Sequence, residues 1–179
     1  FAYIPLPGGA EAIKEPARIA YGALWSFDLL EHEAAKAFVV EQVPNAAVFQ
    51  QMIEKGLNCP ETSSVGRLFD AASALLGVCT VPRYEGEAAI LLEAAAHRAQ
   101  EFAAEYPLED DRYRIEFIKN TATENSTAAD TSVLLMDAAP VFAALLDDMQ
   151  QNVPASVVAA RFHGAFVHAI VDVAELVRA

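Results

Sequence analysis

Residues 62–77 read TSSVGRLFDAASALLG, and their spacing sets the class of the fold. Thr62, Ser63 or Ser64 can accept from the free N–H groups of a first helical turn, so a helix starts there. Val65, Leu68, Phe69, Ala72 and Leu76 recur at helical spacing and form an apolar stripe that faces a core. Gly66, Asp70, Ser73 and Gly77 fall on a second line, at i, i+4, i+7 and i+11. Three of these side chains are small and the fourth is a carboxylate. A glycine inside a helix costs about 1 kcal/mol relative to alanine, so something must offset it. Two accounts fit the spacing. Either a flat ligand approaches, with Asp70 accepting from hydroxyls such as those of a ribose, or a second helix packs close and Asp70 is merely solvated.

Outward from this stretch the chain reads mostly as helix. Residues 1–5 form a short strand and LPGG (6–9) a turn. Glu11 to Glu15 make a helical turn, and Pro16 suits the first position of the next helix. That helix carries Ile19, Leu24, Phe27 and Leu30 at helical spacing. Residues 32–42 and 45–55 make two more, the second closed by Gly56. Residues 84–105 form another, in which Glu85 and Glu87 suit the positive end of the helix dipole and Gly86 bares backbone N–H groups. YPLEDDR (106–112) is a polar turn. YRIEFIK (113–119) alternates like a strand, with Tyr113, Ile115 and Phe117 inward. Residues 120–130 are a polar loop or hairpin tip, and 132–137 are a second strand or the lead-in to a helix. Pro140 and Pro154 open the last two helices. The expectation is one unit over 1–179, mainly α with two or three short strands (α+β).

The chain has 179 residues, of which 54% are hydrophobic, so a folded core is expected and disorder as the main state is excluded. A formal net charge of −13 repels nucleic acid and anionic membranes. No apolar run is read as long enough to cross a bilayer, and no signal peptide is read. Cys59 and Cys79 show no metal spacing and read as reduced thiols of a cytosolic protein. The four histidines, His32, His97, His163 and His168, show no ligand spacing, so no metal site is expected from them. LPGGAEAIKEPAR lacks phosphate-loop spacing.

Four segments, in this order, carry a resemblance to a known family: PGGAEAIKEPARIA (7–20), SSVGRLFDAASALLGV (63–78), YEGEAAILLEA (84–94) and AARFHGAF (159–166). Together they resemble the carboxy-terminal region of HypF, the carbamoyltransferase of nickel–iron hydrogenase maturation. The chain departs from the family's pattern at Ala17, usually tryptophan, at Glu87, often glutamine, and at Gly164, usually asparagine. The resemblance implies an enzyme that makes carbamoyl-adenylate from carbamoyl phosphate and ATP. It then passes the carbamoyl group to the carboxy-terminal cysteine of a HypE-type maturation protein, for the hydrogenase cyanide ligand. It also implies part of an actin-like, ATPase-type domain similar to the threonylcarbamoyl-transfer protein TsaD, with a helical insertion.

On that resemblance Asp70 and Gly86 become the nucleotide contacts. Glu87 is a weaker third, and Ser64 and Gly66 border the cleft. ATP is a substrate, and the family's metal ion finds its ligands outside this chain. The chain is then an internal fragment, expected to be inactive alone, cytoplasmic, and able to self-associate through strand edges left unpaired. Catalytic residues are not assigned. Two other readings are a helical module that docks HypE or the enzyme's other domains, and a carbamoyltransferase of the TsaD or antibiotic-tailoring kind.

Overall fold

Gly22 lies where a strand and a helix meet. A Cβ there would sit 2.1 Å from the Pro5 carbonyl oxygen, so only glycine lets the strand β1 (Ile4–Pro5) rest on the helix α2 (Pro16–Ser26). The computed structural model describes residues 1–120 and 133–178. The short helix α1 (Ala10–Lys14) precedes α2, which starts at Pro16 as expected, and α3 (Glu33–Gln42) and α4 (Ala46–Lys55) follow it. β2 (Glu61–Thr62) pairs antiparallel with β1, Ile4 opposite Thr62, and so fixes where the next helix, α5 (Val65–Leu75), begins. α6 (Glu87–His97) continues as a 3-10 segment, Arg98–Phe102. β3 (Glu116–Asn120) and β4 (Val133–Asp137) form an antiparallel pair with Phe117 opposite Met136. α7 (Ala139–Gln150) and α8 (Ala155–Arg178) complete the described chain.

α5 is the central helix, packed against α2 on one side and α6 on the other. The apolar stripe read from its spacing is therefore incomplete. Ala71, Ser73, Ala74 and Leu75 are buried as well as Leu68 and Ala72. Phe69 meets the rings of Phe162 and Phe166 on α8 at 5.2 and 5.1 Å. Gly77 is not on the helix. Its φ of +64° ends α5, and the Val78 N–H closes on the Ser73 carbonyl at 2.9 Å. The rest of the core is built around Phe142, Phe162, Ile19, Leu24, Leu92 and Leu145, all fully buried.

Three expectations change. The 113–119 strand begins only at Glu116, although Tyr113 and Ile115 are buried and Arg114 and Glu116 exposed, as the alternation requires. Tyr113 stays outside the ladder because its backbone N–H closes a turn on the Asp110 carbonyl at 2.9 Å. The helix read over 84–105 is shorter, and its end tightens to 3-10 geometry. Finally, α8 is long and apolar enough to cross a bilayer by length and composition, with 24 residues and a mean hydropathy of 1.4 in its most apolar window. It serves the core instead, since Val157, Val158 and Phe162 are fully buried in the protein. The loop read over 120–130 lies outside the described residues beyond Asn120.

Candidate functional site

Asp70 is only 4% exposed. It stands one turn after Arg67 on α5, so the two side chains share a face. Arg67 Nη1 lies 3.1 Å from Asp70 Oδ2, and Arg67 Nη2 lies 3.6 Å from Glu85 Oε1 in the turn before α6. The Arg67–Asp70 approach is an ion pair without hydrogen-bond geometry. Among the described residues no donor makes a hydrogen bond to the Asp70 carboxylate, and the buried Arg67 Nη1 finds no acceptor. Ser73 Oγ, a turn further on, is buried and unpartnered as well. Buried polar groups are nearly always bonded, so two unpartnered buried atoms on one helix, on either side of the Asp70 carboxylate, single out this face. Burial pushes the Asp70 carboxyl above the usual carboxylate range; Arg67 opposes this and the Glu85 charge adds to it.

Gly66 has open space beside it. A Cβ there would meet only Ser64 Oγ, at 3.6 Å. Close helix contact is therefore not seen at this glycine, and Asp70 is largely shielded from solvent. Ser64 precedes α5 at its N-cap position, but its side chain makes no cap. The Ser64 N–H instead donates to Thr62 Oγ1 at 3.2 Å. The start of α5 is thus left without a side-chain cap beside the open glycine.

Gly86 takes a φ of +88°, which an L side chain rarely adopts, and stands at the N-cap of α6. Glu87 is 3% exposed. Its carboxylate reaches back to Arg83, accepting from the side-chain Nε at 2.9 Å and from the backbone N–H. Those bonds hold it below the usual carboxylate range. Glu87 therefore clamps the turn that carries Glu85 and Gly86. The Arg67–Glu85 contact ties this turn to Asp70. Arg67 is the residue that sequence reasoning missed, because a charged side chain is expected outside; its i, i+3 spacing to Asp70 was the available signal.

A second buried carboxylate, Asp148 on α7, is complete. It accepts from Arg112 Nη2 at 2.7 Å, the Tyr113 hydroxyl at 2.8 Å and Arg161 Nη1 at 2.6 Å. Arg161 also donates twice to the Pro107 carbonyl. His163, beside it in the sequence, donates from Nδ1 to the Ala159 carbonyl at 2.7 Å and sets its ring edge-on to Phe69. His32 caps α3: its Nδ1 accepts from the Ala34 N–H, so its Nε2 donates to Asp147 at 3.0 Å. Cys59 and Cys79 are unpaired thiols, and burial pushes both up. Among the described residues no three His, Cys, Asp or Glu side chains converge as metal ligands.

A carbamoyltransferase HypF homolog of Cupriavidus necator is 43% identical over 93 residues, covering 52% of this chain and 24% of its own. The carbamoyltransferase HypF of Synechocystis is 28% identical over 186 residues, covering 95% of this chain and 21% of its own. A crystal structure of full-length HypF in the phosphate- and nucleotide-bound form superposes with a TM-score of 0.73 at 29% identity. The match covers 99% of this chain and 24% of that one. The chain thus spans about a quarter of these relatives or less. The family described as carbamoyltransferase, Kae1-like domain, second subdomain, matches residues 1–179, and the chain belongs to that family.

Proposed function

We propose that this chain supplies the ribose wall of the nucleotide cleft in a HypF-type carbamoyltransferase. The parent enzyme would form carbamoyl-adenylate from carbamoyl phosphate and ATP, then hand the carbamoyl group to the carboxy-terminal cysteine of a HypE-type protein for hydrogenase cyanide synthesis. The carrying observation is the Asp70 carboxylate, buried and without a hydrogen-bond donor among the described residues. Ribose hydroxyls are donors that such an acceptor lacks. Gly66 and Gly86 leave room for the sugar, Ser64 borders it, and Glu87 holds the Gly86 turn in place. The nucleotide in the similar HypF structure supports this reading. The metal ion and catalytic groups would come from other parts of the parent, so the chain alone would lack turnover. The setting is the cytoplasm, with no nucleic-acid or membrane partner, and copies could associate through strand edges.

The test is nucleotide titration of the full-length protein. A hydrogen bond to a charged acceptor contributes about 1.5–3 kcal/mol, so D70N should weaken ATP binding roughly ten- to a hundredfold. Unchanged affinity would sink the assignment. A second reading, a docking role, is favoured by one observation: Val167, Ile170, Val171, Leu176 and Val177 leave an apolar face of α8 exposed. Other domains of the parent or HypE would cover it. Capture of HypE by this chain alone would favour HypE, and failure to capture it would favour the parent's own domains.

A further inference from the structure

Among the described residues the Asp70 carboxylate has one cation facing it. Arg67 comes from its own helix, Glu85 brings a like charge from the turn before α6, and the Cys79 thiol lies beside it. The one basic residue of α2, Arg18, is bonded to Glu15 and lies over the Phe49 ring instead. Arg67 is itself 9% exposed, and its Nη1 is buried without an acceptor. A guanidinium normally spends its donors in a planar fork on a carboxylate. Here it spans two carboxylates, at 3.1 and 3.6 Å, and saturates neither. Arg161, by contrast, spends its donors in hydrogen bonds, Nη1 on Asp148 at 2.6 Å and Nε and Nη2 on the Pro107 carbonyl. The Arg67 arrangement leaves Asp70 Oδ atoms without bonds while keeping a positive charge against them.

We propose that Arg67 is a positioning residue for nucleotide binding: set one helical turn from Asp70, it aims the carboxylate and keeps a positive charge against it while it accepts from the ribose hydroxyls. This rests on the reading of Asp70 as the ribose acceptor. The physical reason is a contest of effects on one group. Burial and the Glu85 charge both favour a protonated Asp70, which accepts poorly, and Arg67 is the opposing influence. Without Arg67 the carboxyl moves further up, so protons compete with nucleotide at higher pH. Binding is then weak in acid and recovers as pH rises.

The experiment is ATP affinity of the full-length protein across about pH 5.5 to about pH 8, for wild type, R67M, R67K, E85Q and D70N. R67M should lose about tenfold in affinity per pH unit on its acid limb and recover at high pH. R67K, which keeps the cation, should stay near the wild-type profile. D70N should be weak and flat. Arg67 is buried, so E85Q, at an exposed position, provides a second arm in a variant expected to fold normally. Removing the like charge should shift the acid limb of binding to lower pH. An R67M loss equal at every pH would overturn the proposal and leave the Asp70 reading standing, provided D70N is weak. An E85Q limb that does not move, or moves to higher pH, would count against it too. D70N binding as tightly as wild type would remove the Asp70 reading and this inference with it.

Discussion

Asp148 and Asp70 are both buried carboxylates beside arginines, and they are finished to different degrees. Asp148 accepts from three side chains, on the segment before β3 and on α8, at 2.6 to 2.8 Å. Asp70 receives one ion pair and no hydrogen bond among the described residues. The same contrast holds for two helical glycines. Gly22 is filled to 2.1 Å by the Pro5 carbonyl, whereas Gly66 meets only Ser64 Oγ at 3.6 Å. A burial cost is tolerated in both places. At Asp148 the protein's own donors offset it, and the result is a clasp joining α7, α8 and the segment ahead of β3. At Asp70 the protein's own donors leave the offset incomplete.

The sharpest way to break this comparison is D148N. It keeps the shape but leaves the buried Arg161 with Asp110, at 3.4 Å, as its remaining counter-charge, a change expected to destabilise the fold by about 3 kcal/mol. Urea denaturation should show a lower midpoint with unchanged slope. D70N measured in the same way should lose clearly less, because fewer bonds depend on it. Equal losses would mean that Asp70 is scaffold too.

A milder probe is Y113F, which removes one of the three donors. The loss should be about 1 kcal/mol near neutral pH. Its pH dependence sharpens the point. Burial first, and then the Asp148 charge, push the Tyr113 hydroxyl well above the usual tyrosine range. The folded state then keeps this proton when the unfolded chain gives it up, so the stabilisation is full below about pH 10 and is lost as pH rises further. Wild-type stability should therefore decline in alkali, and Y113F should flatten that decline. A decline of equal slope in both would show that Tyr113 is not its source.

What the sequence made legible follows the range of each interaction. α5 and its two lines of residues were readable because helical spacing is local. Pro16, Pro140 and Pro154 marked helix starts for the same reason. Gly77 was misplaced on the ligand line, although a glycine just past a helical run is a local stop signal. Glu87 was read through the helix dipole, while its partner Arg83 stood four residues away. The Asp148 clasp was not readable at all. Its partners lie 36, 35 and 13 residues off in the chain, and no periodicity links them. Burial of Arg67 was equally hidden, since it depends on how α5 sits between α2 and α6. Gly66 and Asp70 drew attention through spacing, and their place in a family through a set of motifs. Their unfinished bonding is visible only once the neighbours are in place.

The smallest expected effect separates the two kinds of glycine. Gly66 has ordinary helical backbone and open space where a side chain would go. Alanine fits there, so G66A should leave folding stability unchanged or raise it by up to about 1 kcal/mol. A methyl group at an empty wall should nevertheless hinder whatever lies against it. In full-length protein, nucleotide affinity should fall while the denaturation midpoint holds or rises. That opposition of sign is the useful result, because a packing role lowers both quantities together and an idle surface position changes neither. If G66A bound nucleotide as wild type does, Gly66 would drop out of the cleft, and the open face of α5 would narrow to Asp70 and the groups around it.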